Sequence, residues 1–371
     1  MTFNPNWVSS PSETIRDIIN YNNFNIEDII DILNKKSINA NDLLEGKTSI
    51  DIQIANTLSE IFKNSSEFWL NKQKIFSERI KMIDSTEKEE WINSFPIKEI
   101  ADAGYLKSKT NLYKELLNFF EVNSIFEWKI KYLNKSNLSF RKSEGFDSKK
   151  SSVVAWFRMG ELHIKNIKYP KYNREDFLIK LENEIKQLTR TKSPKVFIPK
   201  LIEICYECGV ILSIQRAPER CKVYGVTNFT KDGNPLLILS FRYLTDDQFW
   251  FTFFHEAGHV ILHEKKFLNF EVENLTEKNV QLDEEELEAN LFAEEALIPL
   301  QLKERLGNIN GNKKKLLHFA MDANVSAGIV VGQLQKKGLI KPAYLNGYKR
   351  RYDIDEIKNS FKYSIENLAI K

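Results

Sequence analysis

The amino-acid sequence predicts a multidomain, mainly α fold: an all-α N-terminal domain, a helical middle region, an α+β domain with a small sheet, and a helical C-terminal region. Three observations lead there. A chain of 371 residues exceeds what one core needs, so two or three domains are expected. Apolar residues recur at helical spacing along most of its length. Between Gly209 and Phe241, short β-branched and apolar runs bounded by turn residues take over.

The N-terminal helices are read from Ile15-Ile18-Ile19, Ile26-Ile29-Ile30-Leu33, Ile50-Ile54-Leu58-Ile61 and Phe68-Trp69-Phe76. Turn chemistry separates them at Asn22-Asn23, Asn34 to Lys36, and Gly46. An aromatic-rich helical stretch follows from Trp91 to Trp128. Residues 129–152 are polar and basic (Lys135, Arg141, Lys142, Lys149, Lys150) and read as a linker or exposed loop. Leu201–Cys208 is helical in pattern, and strands are expected at Gly209–Ile214, Tyr224–Phe229 and Leu236–Phe241, with Asp232-Gly233 as a hairpin turn. A long helix is expected from Asp246 to His263, with Thr245 as N-cap and Gln248 completing a capping box. An acidic helix runs from Asp283 to Leu297 and stops at Pro299.

Composition narrows the function classes. Hydrophobic content of 42% and charged content of 28% describe an ordinary globular chain. A net charge of +3 neither demands nor excludes a nucleic-acid partner. No apolar run approaches the roughly 20 residues that span a bilayer, and the N-terminus has no secretory pattern. Three cysteines give no disulfide framework, so a cytoplasmic, reducing location is expected.

The chemistry concentrates at His255-Glu256-Ala257-Gly258-His259. Four residues of helix advance about 400° and about 6 Å, so both imidazoles leave one face and can share a metal ion. Glu256, beside the first ligand, can take a proton from a water the metal has acidified and deliver it to a leaving amine. The five-residue pattern alone recurs by chance. Here it lies on an expected helix, among Phe249, Trp250, Phe251, Phe253 and Phe254, and three of only five histidines fall within nine residues. These features together predict a catalytic Zn2+ site with His255 and His259 as ligands and Glu256 as general base.

A third ligand is expected from the acidic helix, where Glu284, Glu285, Glu286 and Glu288 are candidates. Glu288 is preferred because it precedes Ala289, Asn290, Phe292 and Ala293, small and apolar residues that allow close helix packing. The rival is His263. A straight helix sets it about 12 Å from His255, too far to share an ion bound at about 2 Å, so a supporting or substrate-contact role suits it better. Arg242 and Tyr243, just before the long helix, are candidates for stabilising an oxyanion, with packing an equal reading. Cys205-x-x-Cys208, His163 and His318 are read as structural, and Lys313-Lys314-Lys315 and Lys349-Arg350-Arg351 as solvated faces.

The segment from Pro199 to Ile340 resembles the ImmA/IrrE metallopeptidases. The resemblance rests on His255–His259, His263, Glu288-Ala289-Asn290-Leu291-Phe292-Ala293, Leu297-Ile298-Pro299 and the run Phe249–Phe254. It implies a zincin-like (gluzincin) domain, cytoplasmic cleavage of repressor proteins, and Glu288 as third ligand. The N-terminal part resembles the Cro/repressor-type helix-turn-helix of HigA-like antitoxins, through Pro11-x-Glu13-Thr14-Ile15, helices Ile26–Leu33 and Ser37–Leu44, Gly46-Lys47 and Glu67-Phe68-Trp69-Leu70. It implies that Ser37, Asn39 and Asn41 meet the major groove. The charge of this part departs from that expectation. Residues 11–50 hold seven acids against four bases, and residues 51–80 hold four of each, so phosphate contacts would rest on Lys35, Lys36 and Lys47.

The domain expectation is therefore a helix-turn-helix at 1–85, a helical middle region at 86–195, the metallopeptidase domain at 196–310 and a helical region at 311–371. The leading functional expectation is a zinc endopeptidase coupled to a helix-turn-helix module, cutting a repressor, a toxin partner or itself. A DNA-binding regulator with a sensory or structural metal, and an antitoxin-like interaction protein, are the alternatives. Expected partners are the protein substrate, DNA through the N-terminal domain, and a second copy of the chain as a homodimer. Glu256 favours the enzyme, because a sensory site has no need of a base beside its ligand.

Overall fold

The computed structural model describes residues 10–22, 24–81, 85–108, 110–133, 148–165, 167–218, 221, 223–263, 269–272 and 284–370. The chain divides into two compact units, Met1–Glu89 and Glu90–Lys371. No helix among the described residues is long and apolar enough to cross a membrane.

The first unit holds α1 (Pro11–Tyr21), α2 (Ile26–Lys35), α3 (Ala40–Leu44), α4 (Ile52–Phe62) and α5 (Ser66–Lys81). Ser10 and Glu13 form a capping box at the start of α1, with Pro11 in the first turn. Ile15, Ile29, Leu33, Leu43, Ile54, Leu58 and Trp69 are buried together, which is the helical spacing of the sequence turned inward. The helix expected over Ser37–Leu44 is shorter. Ser37 takes a left-handed φ of 62°, and Asn39 caps α3 by accepting the Asp42 amide, so helical geometry starts only at Ala40.

Helix α6 (Ser85–Asn93) spans the boundary, and the second unit continues with short helices α7 (Ile97–Asp102), α8 (Leu112–Phe120) and α9 (Ile125–Trp128). Trp91, Phe95, Phe120 and Trp128 pack edge to face at their centre. The expected linker at 129–152 is corrected at both ends. Lys129–Leu133 is a π-helical turn, and α10 (Ser148–Ile164) already includes Ser151 and Ser152, both buried; residues 134–147 lie outside the described residues. Small serines pack where a polar count suggests solvent.

Helices α11 (Arg174–Lys180), α12 (Lys186–Leu188) and α13 (Pro194–Glu207) lead into the sheet. Strands β1 (Ile211–Ile214), β2 (Val223–Phe229), β3 (Pro235–Leu239) and β4 (Asn269–Val272) are ordered β1-β3-β2-β4. β1 is parallel to β3, and β2 is antiparallel to both β3 and β4. The Asp232-Gly233 turn joins β2 to β3 with Gly233 at φ 83°. Leu212, Ile214, Leu237 and Leu239 join the main core, while Ile211, Val226, Leu236 and Ile238 pack with Trp156 and Phe157 of α10. Burial on both faces explains the unbroken apolar run of β3.

α14 (Asp246–Leu262) crosses the sheet, and α15 (Glu284–Leu297), α16 (Leu300–Leu306), α17 (Lys313–Asp322), α18 (Ala327–Lys336) and α19 (Ile354–Ile370) follow. Thr245 is the N-cap of α14, but no capping box forms, since its side chain makes no cap bond. It pairs instead with Arg351 in an isolated β-bridge. The buried Asp246 carboxylate secures the helix start, accepting from the Ser326 hydroxyl at 2.7 Å and the Arg350 amide at 3.0 Å. Burial raises the Asp246 pKa despite these bonds.

Candidate metal centre

α14 is buried along nearly its whole length, because Trp250, Phe253, Phe254 and Ala257 join the main core while Gly258 faces α15. A Cβ on Gly258 would lie 3.2 Å from the Cα of Ala289. Small residues on both helices thus permit the close crossing that brings the acidic helix to the histidines.

His255, at 0% exposure, and His259, at 4%, face each other with their Nε2 atoms 3.1 Å apart. The carboxylate beside them belongs to Glu286. Its oxygens lie 3.3 Å from His255 Nε2 and 3.4 Å from His259 Nε2, and one donor atom from each of the three residues lies within 4.8 Å of the others. Burial pushes the Glu286 carboxyl up, but the two imidazoles outweigh it and hold it well below the ordinary carboxylate range.

Glu288, expected as the third ligand, lies elsewhere. Its Oε2 is 3.0 Å from His263 Nε2 and its side chain is exposed. The reason is helical phase. At about 100° per residue, Glu286 falls within about 60° of Ala289 and turns inward with it, whereas Glu288 lies about 100° away on the outer side. Glu284 is exposed and Glu285 half-buried at the start of α15. The spacing Glu286-x-x-Ala289-x-x-x-Ala293, a glutamate in phase with the small residues of the packing face, is the sequence signal that identifies Glu286.

Glu256 is 1% exposed. Its Oε2 accepts a 2.6 Å hydrogen bond from the Thr227 hydroxyl, which also reaches the Glu256 carbonyl at 3.2 Å. Gly225 lies inside β2 where the β2–β4 register shifts between Val223 and Val226. Its missing side chain leaves the room that the Glu256 carboxylate fills. Thr227 and Gly225 therefore belong to the surroundings of the candidate base Glu256, which motif spacing did not reveal.

His263 caps the C-terminus of α14 and sets its Nδ1 2.9 Å from His259 Nδ1. Arg242 donates to the Cys221 carbonyl at 3.2 Å and lies over the Tyr243 ring, whose hydroxyl meets that of Tyr224 at 3.3 Å. A cleft of about 340 Å³, lined by Tyr224, Gln248, Phe251, Thr252, Asn290 and Gln333 among others, adjoins the site. Phe251 also stacks on the His255 ring. The three cysteines are free and buried, and burial pushes the Cys208 and Cys221 thiols up to about 12, which suits packing rather than thiolate chemistry.

In the first unit, Ser37, Asn39 and Asn41 are exposed around the start of α3, as are Lys35, Lys36 and Lys47. Asn39 is engaged with Asp42, Lys36 pairs with Glu60, and Lys47 lies 2.5 Å from Glu45.

Residues 219–331 match the family model of the IrrE N-terminal-like domain, Peptidase_M78. The match runs from just before β2 into α18 and contains Gly225, Thr227, Glu256, both histidines and Glu286. Similarity to a peptidase family and a His-His-Glu cluster thus coincide in one segment. No curated protein and no solved structure matches the chain.

Proposed function

We propose that the chain is a zinc-dependent endopeptidase in which His255, His259 and Glu286 hold the metal and Glu256 is the general base. The convergence of two imidazole Nε2 atoms and one carboxylate, with a second buried carboxylate one residue from the first histidine, carries this reading. Two histidines and a glutamate are a donor set that hydrolytic zinc takes, with a fourth position left open. Bound there, zinc would supply Lewis acidity to the scissile carbonyl and to water. Glu256 accepts the proton of the attacking water and returns it to the leaving amine. The Thr227 hydroxyl fixes one carboxylate oxygen and so aims the other. The adjoining cleft receives the substrate chain.

The enzyme acts as a regulator that cuts a specific protein: a repressor, a toxin partner or the chain itself. The first unit serves recognition, and the pairing of Lys36 with Glu60 and Lys47 with Glu45 favours a protein partner over DNA. An antitoxin-like interaction protein is the second reading, supported by that same pairing.

The test is metal analysis of purified protein together with a pull-down that uses Glu256→Gln as a trap. Both forms should carry about one zinc per chain, and the variant should retain a partner that the wild type cleaves. If both carry zinc yet leave every retained partner intact, the peptidase reading fails.

A further inference from the structure

We propose that His263 and Glu288 form a hydrogen-bonded strut behind His259 that fixes its tautomer and ring plane, so that a bare Nε2 faces the metal position; this rests on the metal-site reading above. The strut is continuous. Glu288 Oε2 lies 3.0 Å from His263 Nε2, and His263 Nδ1 lies 2.9 Å from His259 Nδ1. His259 Nε2 then faces His255 Nε2 at 3.1 Å and Glu286 Oε1 at 3.4 Å.

For a neutral His263, the direction of every bond follows from donor counts. A carboxylate only accepts, so His263 Nε2 carries the proton and donates it to Glu288. A neutral imidazole has one N–H, which leaves His263 Nδ1 as an acceptor. His259 must then donate from Nδ1, and its Nε2 keeps a free lone pair. A ring that carried its proton on Nε2 instead would present N–H where a ligand must present a lone pair. A partner behind a metal-binding imidazole acts in this way; here a second histidine relays the carboxylate's influence.

Position and burial agree. The His263 side chain is 8% exposed, so its ring has few water competitors, while Glu288 is 61% exposed. The His263 amide donates to the His259 carbonyl at 3.1 Å, holding the two residues in register at the end of α14. Because Glu288 belongs to α15, the strut also ties together the two helices that carry the three ligands. This gives Glu288 a positioning role in place of ligation.

The test measures zinc affinity by competition with a chromophoric chelator, for the wild-type chain and five variants. His263→Ala should weaken zinc binding about tenfold or more, in the range typical for partners behind a ligand. Glu288→Ala should weaken it only a few-fold, because water can replace an exposed acceptor. Glu288→Gln, whose amide oxygen still accepts, should stay near wild type. His263→Gln, which can accept through oxygen and donate through nitrogen, should recover much of the affinity lost in His263→Ala. The double variant His263→Ala/Glu288→Ala should be no weaker than His263→Ala alone, since Glu288 acts only through His263. A wild-type affinity in His263→Ala overturns the strut, as does a further large loss in the double variant, which would make Glu288 a ligand. A wild-type chain that takes no zinc overturns the metal-site reading itself, and is told apart because it needs no variant.

Discussion

Gly225 in β2 faces Glu256 so closely that a Cβ there would lie 2.5 Å from Oε1 and 2.8 Å from Cγ. The glutamate cannot simply swing aside into water, since it is 1% exposed and bound to Thr227 at 2.6 Å. Gly225→Ala should therefore displace the proposed base without touching His255, His259 or Glu286. Cleavage of the partner protein should fall about 10²-fold, the scale of a misplacement of about 1 Å, with zinc content unchanged. Full activity in Gly225→Ala would mean that Glu256 is not the base.

Glu294 ties α15 to the end of α18 through Lys337 at 2.8 Å and Lys336 at 3.4 Å. Burial alone would raise its carboxyl, but the two ammonium groups outweigh it and hold it below its ordinary value of 4.5. The folded chain thus binds this proton less readily than the unfolded chain. The contribution to stability is complete above the ordinary value and is lost as pH falls through the depressed one. Glu294→Gln should lower stability by about 1 kcal/mol at neutral pH, a modest figure because both lysines are partly exposed. Thermal melts of the two forms should converge on acidification; a gap that persists at low pH would assign the effect to packing.

Much of the second unit is legible in the sequence, because its signals are local. β3 is an unbroken apolar run, the Asp232-Gly233 turn precedes it, and the phenylalanines around His255 mark a buried helix. The histidine pair needs nothing beyond helical geometry. The parts that were not legible depend on tertiary partners. Thr245 offers a capping box, yet Arg351, more than a hundred residues later, takes its backbone into a bridge. Ser151 and Ser152 read as polar linker until α10 packs them inward. The choice between Glu286 and Glu288 turns on which face of α15 meets Gly258, and two residues of helix separate a half-buried carboxylate from an exposed one.

The charge balance of the first unit leads to a different expectation. Lys36 is paired with Glu60, and Lys47 with Glu45 at 2.5 Å and Asp42 at 3.9 Å. DNA binding through Lys36 and Lys47 competes with these pairs, so it should be weak and salt-dependent. Glu60→Gln should strengthen it by releasing Lys36, and replacing Lys35 and Lys36 together by glutamate should abolish it. A gel shift on the protein's own promoter region decides this. Strong binding that survives the double replacement would place the contact surface elsewhere.

The identity of the third ligand gives the last prediction. Glu286 lies beside the two imidazoles, which outweigh burial and hold its carboxyl below the ordinary range. A charged oxygen donor is what a divalent cation gains from a carboxylate ligand. Glu286→Gln keeps the volume and an oxygen donor but removes the charge. Zinc affinity should fall by more than the roughly 10–100-fold typical of outer partners, and activity should fall with it. Glu288→Gln, measured beside it, should remain near the wild-type affinity because its oxygen still receives the His263 N–H. Reversal of that order, with Glu286→Gln retaining zinc and Glu288→Gln losing it, would mean that α15 turns by about half its circumference when the metal binds, and that Glu288 is the ligand after all.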